Sequence, residues 1–133
     1  MTEASNTKIL IADDDPEMRG LLRAHLETLD CALLEAADGE KALETIILEH
    51  PDLVVLDVMM PELNGWEICK YIKSKPDYKD IGVVMLTGIG ETVNELTSPL
   101  YGADAYIDKP FDIDELDFKI RKVLSERGRD DEE

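Results

Sequence analysis

The fold of this chain is decided by residues 51–69, PDLVVLDVMMPELNGWEIC, which combine a short apolar strand with the start of a helix. The run Leu53–Asp57 (LVVLD) is apolar until its final aspartate, as expected for a strand that is covered on both faces. From about Gly65 to Ser74 the apolar residues recur at helical spacing and form one face. A buried strand followed by an amphipathic helix predicts one unit of a parallel α/β sheet.

The same alternation recurs on both sides of this unit. Further strands are predicted at Lys8–Ala12 (KILIA), Cys31–Ala36 (CALLEA), Gly82–Thr87 (GVVMLT) and Ala105–Ile107 (AYI). Helical patterns lie between the strands. The first has Asp15 placed as its cap and Pro16 in its first turn, and the last begins at Asp112. Strands that alternate with helices predict a five-stranded, doubly wound α/β domain.

Length and charge limit the classes of function. The 133 residues fit one domain, which we place at 1–126, with 127–133 (RGRDDEE) as a polar, mobile tail. A formal net charge of −17 disfavours direct binding to nucleic acid or to a membrane surface. The chain start shows no signal peptide and no apolar run is long enough to span a membrane, so we expect a cytoplasmic protein. Cys31 and Cys69 are expected to be two buried, reduced thiols.

Charged and hydroxylic residues stand where the predicted strands end. They are Asp13-Asp14-Asp15, Asp57, Thr87 and Asp108-Lys109-Pro110. In a doubly wound sheet, ligands bind outside the carboxyl ends of the strands, so these residues mark the candidate site. Converging carboxylates repel one another unless a cation is present, and oxygen-only ligands with open water positions suit Mg²⁺. A carboxylate beside that ion can act as a nucleophile toward phosphorus, and Thr87 and Lys109 could contact the transferred oxygens.

At these residues the sequence resembles the response-regulator receiver family. The matching stretches occur in family order and spacing between about Lys8 and Leu124: ILIADDDPEMR, PDLVVLDVMMPELNGWEIC, VVMLTG and GADAYIDKPF. The resemblance implies a flavodoxin-like fold with five helices and strand order 2-1-3-4-5. It also implies a signalling switch rather than an enzyme, one that catalyses only its own phosphorylation and dephosphorylation.

The resemblance implies a role for each site residue. Asp57 would be the phosphoacceptor, and catalysis would involve Asp57, Thr87 and Lys109. Asp13, Asp14 and Asp57, with the backbone carbonyl of Met59, would bind Mg²⁺. Thr87 and Tyr106 would form the conformational switch.

The implied partners are proteins. A histidine kinase or a phosphotransfer protein would supply the phosphoryl group, and a downstream protein target would receive the signal. The chain itself would be a monomer or a weak, phosphorylation-dependent dimer. An alternative is a receiver domain excised from a larger response regulator or hybrid kinase.

Three other classes of protein fit the sequence less well. A flavin-binding redox protein shares the architecture, but its first loop must hold a phosphate, whereas this loop presents three carboxylates. An aspartate-nucleophile phosphatase would need a second acid two residues after Asp57, where Met59 stands. An inactive interaction module would not need the full set of acidic, hydroxyl and ammonium groups.

One segment departs from the family pattern. Residues 88–102 (GIGETVNELTSPLYG) should contain a helix, but Pro99 falls inside it. Proline costs about 3 kcal/mol in a helix interior, so we predict a short, kinked or displaced helix.

Overall fold

A computed structural model describes residues 7–29, 31–58, 60, 65–87, 103–108 and 111–132, with side chains as far as Glu126. The strands are β1 (Lys8–Ala12), β2 (Ala32–Ala36), β3 (Leu53–Asp57), β4 (Gly82–Thr87) and β5 (Ala105–Asp108). The helices are α1 (Pro16–Leu26), α2 (Gly39–Glu49), α3 (Gly65–Ser74) and α4 (Ile113–Glu132), and a 3₁₀ turn spans Glu27–Leu29.

The five strands form one parallel sheet in the order β2-β1-β3-β4-β5. The predicted fold class and strand order are therefore confirmed. Four of the five predicted strands begin at the predicted residue, whereas β2 begins at Ala32 and not at Cys31. Strand β5 also includes Asp108, one residue beyond its predicted end.

The core is divided between the two faces of the sheet. Successive strand residues alternate between two apolar clusters: Ile9 and Ile11 pack with α1 and α4, whereas Leu10 packs with α2 and α3. In β3, Val54 and Val55 follow the same alternation. This two-sided burial explains why the strands are almost continuous apolar runs.

Side-chain caps define where the first two helices begin. The Asp15 carboxylate accepts a hydrogen bond from the backbone N–H of Glu17 at 3.0 Å, as the sequence predicts, and Pro16 begins α1. Asp38 caps α2 by accepting from the Lys41 N–H at 2.8 Å. Helix α2 ends at Glu49 and is followed by its C-cap residue His50, which has a left-handed φ of 49°.

Several predictions concern residues that the structure does not describe. The segment 88–102 with Pro99, the Met59 carbonyl and the Lys109 side chain all lie outside the described residues. Helix α4 continues to Glu132, into the range 127–133 that we predict to be a tail, and the mobility of that range stays a prediction. In the part of the chain that is described, no helix is both long enough and apolar enough to cross a membrane.

Candidate functional site

Three predicted site residues converge at the carboxyl edge of the sheet. Carboxylate oxygens of Asp13, Asp14 and Asp57 all lie within 4.8 Å of one another. The cause is the pairing of β1 with β3, in which Ala12 is the register partner of Leu56, so the next residue of each strand reaches the same edge. Asp13 and Asp57 are only 1% and 4% exposed, whereas Asp14 is open to solvent.

This cluster fits a hard divalent cation. Its donors are all carboxylate oxygens, the set that Mg²⁺ and Ca²⁺ prefer in proteins. Two of the three groups are buried, and burying like charges together is costly unless a cation or protons neutralise them. The exposed Asp14 leaves one side of the cluster open to water, which suits an ion that keeps several water ligands.

Hydrogen bonds from the backbone and the side chain of Asp13 hold this residue in place. Its N–H donates to the Ala36 carbonyl at 3.1 Å, and its Oδ1 accepts from the Asp15 N–H at 2.9 Å. Its carbonyl accepts from Nη1 of Arg19 at 2.8 Å. The sequence pattern indicates no role for Arg19, yet its guanidinium holds the loop that carries the acidic pair.

Arg19 is itself held from the neighbouring strand. Its Nε donates to Oε1 of Glu35 on β2 at 3.3 Å, and Nη1 of Arg23 donates to the other oxygen of Glu35 at 2.7 Å. Two arginines one helical turn apart therefore share one carboxylate. Their i, i+4 spacing on α1 is visible in the sequence, but the Glu35 partner is not.

Gly65 allows α3 to begin against the end of β3. A Cβ atom at this position would lie 2.4 Å from the Asp57 carbonyl oxygen and 2.9 Å from the Val58 Cα. The Gly65 N–H also donates to the Val58 carbonyl at 2.9 Å. The backbone that carries Asp57 is thus fixed by a contact that only glycine permits.

Thr87 ends β4 and is completely buried. Its hydroxyl donates to Oδ1 of Asp108 at 2.5 Å, and the Ile107 carbonyl lies farther away, at 3.4 Å. Thr87 and Asp108 are register partners in the β4–β5 pair. The sequence places Asp108 at a strand end but assigns it no function, because the predicted β5 stops at Ile107.

Tyr106 lies on β5 with its ring half-buried against the core. Its ring centroid is 6.2 Å from that of Trp66, the second residue of α3, whose ring is also partly buried against the core. The Tyr106 carbonyl accepts a hydrogen bond from Nζ of Lys119 at 2.6 Å, which ties this edge strand to α4.

A doubly wound parallel sheet with clustered carboxylates at the ends of β1 and β3 is the arrangement expected of the receiver-type domain that the sequence resembles. The family model of the response regulator receiver domain matches residues 9–121, and the chain belongs to this family.

Known relatives agree with this assignment. The chain is 42% identical over 122 residues to "Probable transcriptional regulator ycf27" of Cyanophora paradoxa, covering 92% of this chain and 50% of the relative. It is 34% identical to the "DNA-binding dual master transcriptional regulator RpaA" of Synechocystis, covering 92% of this chain and 51% of the relative. The chain thus spans about half the length of these relatives.

Among solved structures, a response regulator receiver domain protein from Clostridium thermocellum superposes with a TM-score of 0.83 at 27% identity. The match covers 92% of this chain and 97% of that one.

Proposed function

We propose that this domain is a phosphorylation-activated switch in which Asp57 receives a phosphoryl group from a histidine kinase or a phosphotransfer protein. The observation that carries the proposal is the convergence of Asp13 and Asp14 on the buried Asp57 carboxylate. A buried carboxylate that can share a cation with two others can stay ionised, and an ionised carboxylate is the nucleophile that this transfer needs.

Each residue has a defined part in the proposed transfer. A carboxylate oxygen of Asp57 forms a bond to phosphorus, the bond from phosphorus to the imidazole nitrogen of the donor breaks, and that nitrogen takes up a proton from water. Asp13 and Asp14, together with Asp57 and the carbonyl of Met59, would hold Mg²⁺. The bound ion would neutralise charge on the transferring oxygens.

The proposed output is a change of shape. Thr87 and Lys109 carry hydrogen-bond donors suited to phosphoryl oxygens. Tyr106, on the strand next to Thr87, would pass the change to a surface that contacts a downstream protein target. We propose this cycle for a cytoplasmic monomer, or for a dimer that forms weakly on phosphorylation.

One observation supports the alternative of a receiver domain taken from a larger regulator. The relatives are about twice as long as this chain, and RpaA is described as DNA-binding. In that arrangement the receiver would control DNA binding by another domain, since a net charge of −17 disfavours direct contact of this chain with phosphates.

Labelling with acetyl phosphate tests the proposal. We expect the intact mass to increase by one phosphoryl group in Mg²⁺ and to stay unchanged in excess chelator. Asp57→Asn should abolish the adduct. Asp15→Asn is the matched control, because Asp15 lies beside the cluster and asparagine caps a helix equally well. Equal labelling of Asp57→Asn and the wild type would show that the acceptor is another residue.

A further inference from the structure

We propose that Asp108 competes with the phosphoryl oxygens for the Thr87 hydroxyl and so sets how readily the domain switches. In the proposed function, Thr87 donates a hydrogen bond to the phosphoryl group on Asp57, and the inference rests on that role. Asp108 is then a positioning residue, because it acts on the reaction only through Thr87.

The Thr87 hydroxyl donates its proton to the Asp108 carboxylate. The 2.5 Å separation between Thr87 Oγ1 and Asp108 Oδ1 lies at the short end of the range for a hydroxyl that donates to an ionised carboxylate. A threonine hydroxyl has a single proton to donate. The Ile107 carbonyl, at 3.4 Å, is a much poorer acceptor in this arrangement. A new bond from Thr87 to a phosphoryl oxygen therefore requires the bond to Asp108 to break.

The surroundings of the two residues make this exchange possible. Thr87 is completely buried, so its hydroxyl needs another acceptor when it leaves the carboxylate. Asp108 is exposed, so water can solvate its carboxylate after the bond breaks. A phosphoryl group is also anionic, so the exchange replaces one charged acceptor by another of similar strength.

The site of phosphorylation is close to Thr87 through the sheet. Strand β3, which ends at Asp57, is the hydrogen-bonded neighbour of β4, which ends at Thr87. The Val58 N–H, directly after Asp57, donates to the Leu86 carbonyl at 3.1 Å. Asp108 is held on the other side of Thr87 by the β4–β5 register. Thr87 thus stands between the strand of the proposed acceptor and the strand of its competitor.

The competition reduces the apparent affinity for a phosphoryl group, because only the fraction of molecules whose Thr87 hydroxyl is free of Asp108 is ready to bind it. The probe is beryllofluoride, a tetrahedral anion that mimics a phosphoryl group on a carboxylate, titrated calorimetrically in Mg²⁺. We expect Asp108→Ala to bind it about three- to tenfold more tightly than the wild type. Asp114→Asn removes an exposed charge from α4 without touching Thr87, and it should bind like the wild type.

A double-mutant cycle separates competition for the hydroxyl from simple charge removal. In a Thr87→Ala background, Asp108→Ala should give no further gain, because the hydroxyl is absent. In a Thr87→Ser background the hydroxyl is present again, so Asp108→Ala should again increase the beryllofluoride affinity. If Thr87→Ala does not fold, the comparison of Thr87→Ser with and without Asp108→Ala still tests the inference. A gain that persists in Thr87→Ala, or no gain in Asp108→Ala alone, would overturn the inference. Failure of the wild type to bind beryllofluoride would instead refute the proposed function.

Discussion

Gly65 begins α3 against the backbone of Asp57, and replacing it with alanine tests how tightly this junction is built. The added Cβ would lie 2.4 Å from the Asp57 carbonyl oxygen, whereas ordinary contacts begin near 3.4 Å. The three atoms nearest to this Cβ are all backbone atoms of Asp57 and Val58, which cannot rotate away. The start of α3 must therefore move outward by about 1 Å, the difference between these two distances.

This shift also breaks a hydrogen bond. The Gly65 N–H lies 2.9 Å from the Val58 carbonyl, and an outward movement of that size stretches the bond beyond its useful range. Overpacking costs about 1–3 kcal/mol, and a lost hydrogen bond adds about 0.5–1.5 kcal/mol. We therefore expect Gly65→Ala to lower the free energy of unfolding by about 1.5–4.5 kcal/mol, a large share of the stability of a small domain.

Urea unfolding followed by circular dichroism measures this loss. The matched control is Gly20→Ala, the same change on α1, where an added Cβ meets no atom within 4 Å. Alanine is favoured over glycine in a helix interior, so the control should gain up to about 1 kcal/mol. The two substitutions should thus have opposite signs. A Gly65→Ala protein as stable as the wild type would refute the reasoning that α3 requires a glycine here.

Three further predictions follow from single contacts. Arg19→Lys keeps the charge but removes the guanidinium group that donates to the Asp13 carbonyl, so calorimetry should show about threefold weaker Mg²⁺ binding. Arg23→Lys is the control, and its Mg²⁺ affinity should equal that of the wild type, because Arg23 contacts Glu35. Equal effects of the two changes would contradict this. Burial raises the pKa of Cys69 to about 12, so iodoacetamide at pH 9 should label it slowly in the folded protein and rapidly in urea. Fast labelling of the folded protein would contradict the burial of Cys69. Because the thiol ionises at lower pH in the unfolded chain than in the folded protein, the free energy of unfolding should fall as the pH rises above 9. Asp38→Ala removes the cap of α2 and should cost about 1 kcal/mol in urea unfolding, and no loss would mean that the cap is dispensable.

The strands could be predicted from the sequence because both of their faces are buried. A parallel strand covered by helices on both faces must be apolar at every position, as in Leu53–Leu56, and such a run is visible without knowledge of its neighbours. The convergence of Asp13, Asp14 and Asp57 followed from the same rule, since the carboxyl ends of parallel strands share one edge. Their part in metal binding and phosphoryl transfer stays a prediction.

The end of β5 was not predictable from an apolar pattern. Asp108 is charged and exposed, so hydrophobic periodicity ends at Ile107, although the strand continues. Pairing with Thr87, 21 residues earlier, extends the strand by one residue and brings the carboxylate to the hydroxyl. The register of two strands, and not the local sequence, decides this contact.

The sequence by itself therefore determined the alternation of strands and helices along the chain, the Asp15 cap that begins α1, and the edge at which the acidic residues meet. The tertiary structure alone decided which atoms those residues contact. Arg19 reaches the Asp13 carbonyl and Glu35 only after α1 packs beside β2, and Gly65 meets the Asp57 carbonyl only when α3 docks on the sheet. Periodicity records which face of an element is buried, but a hydrogen bond within 3 Å depends on the relative placement of elements distant in sequence.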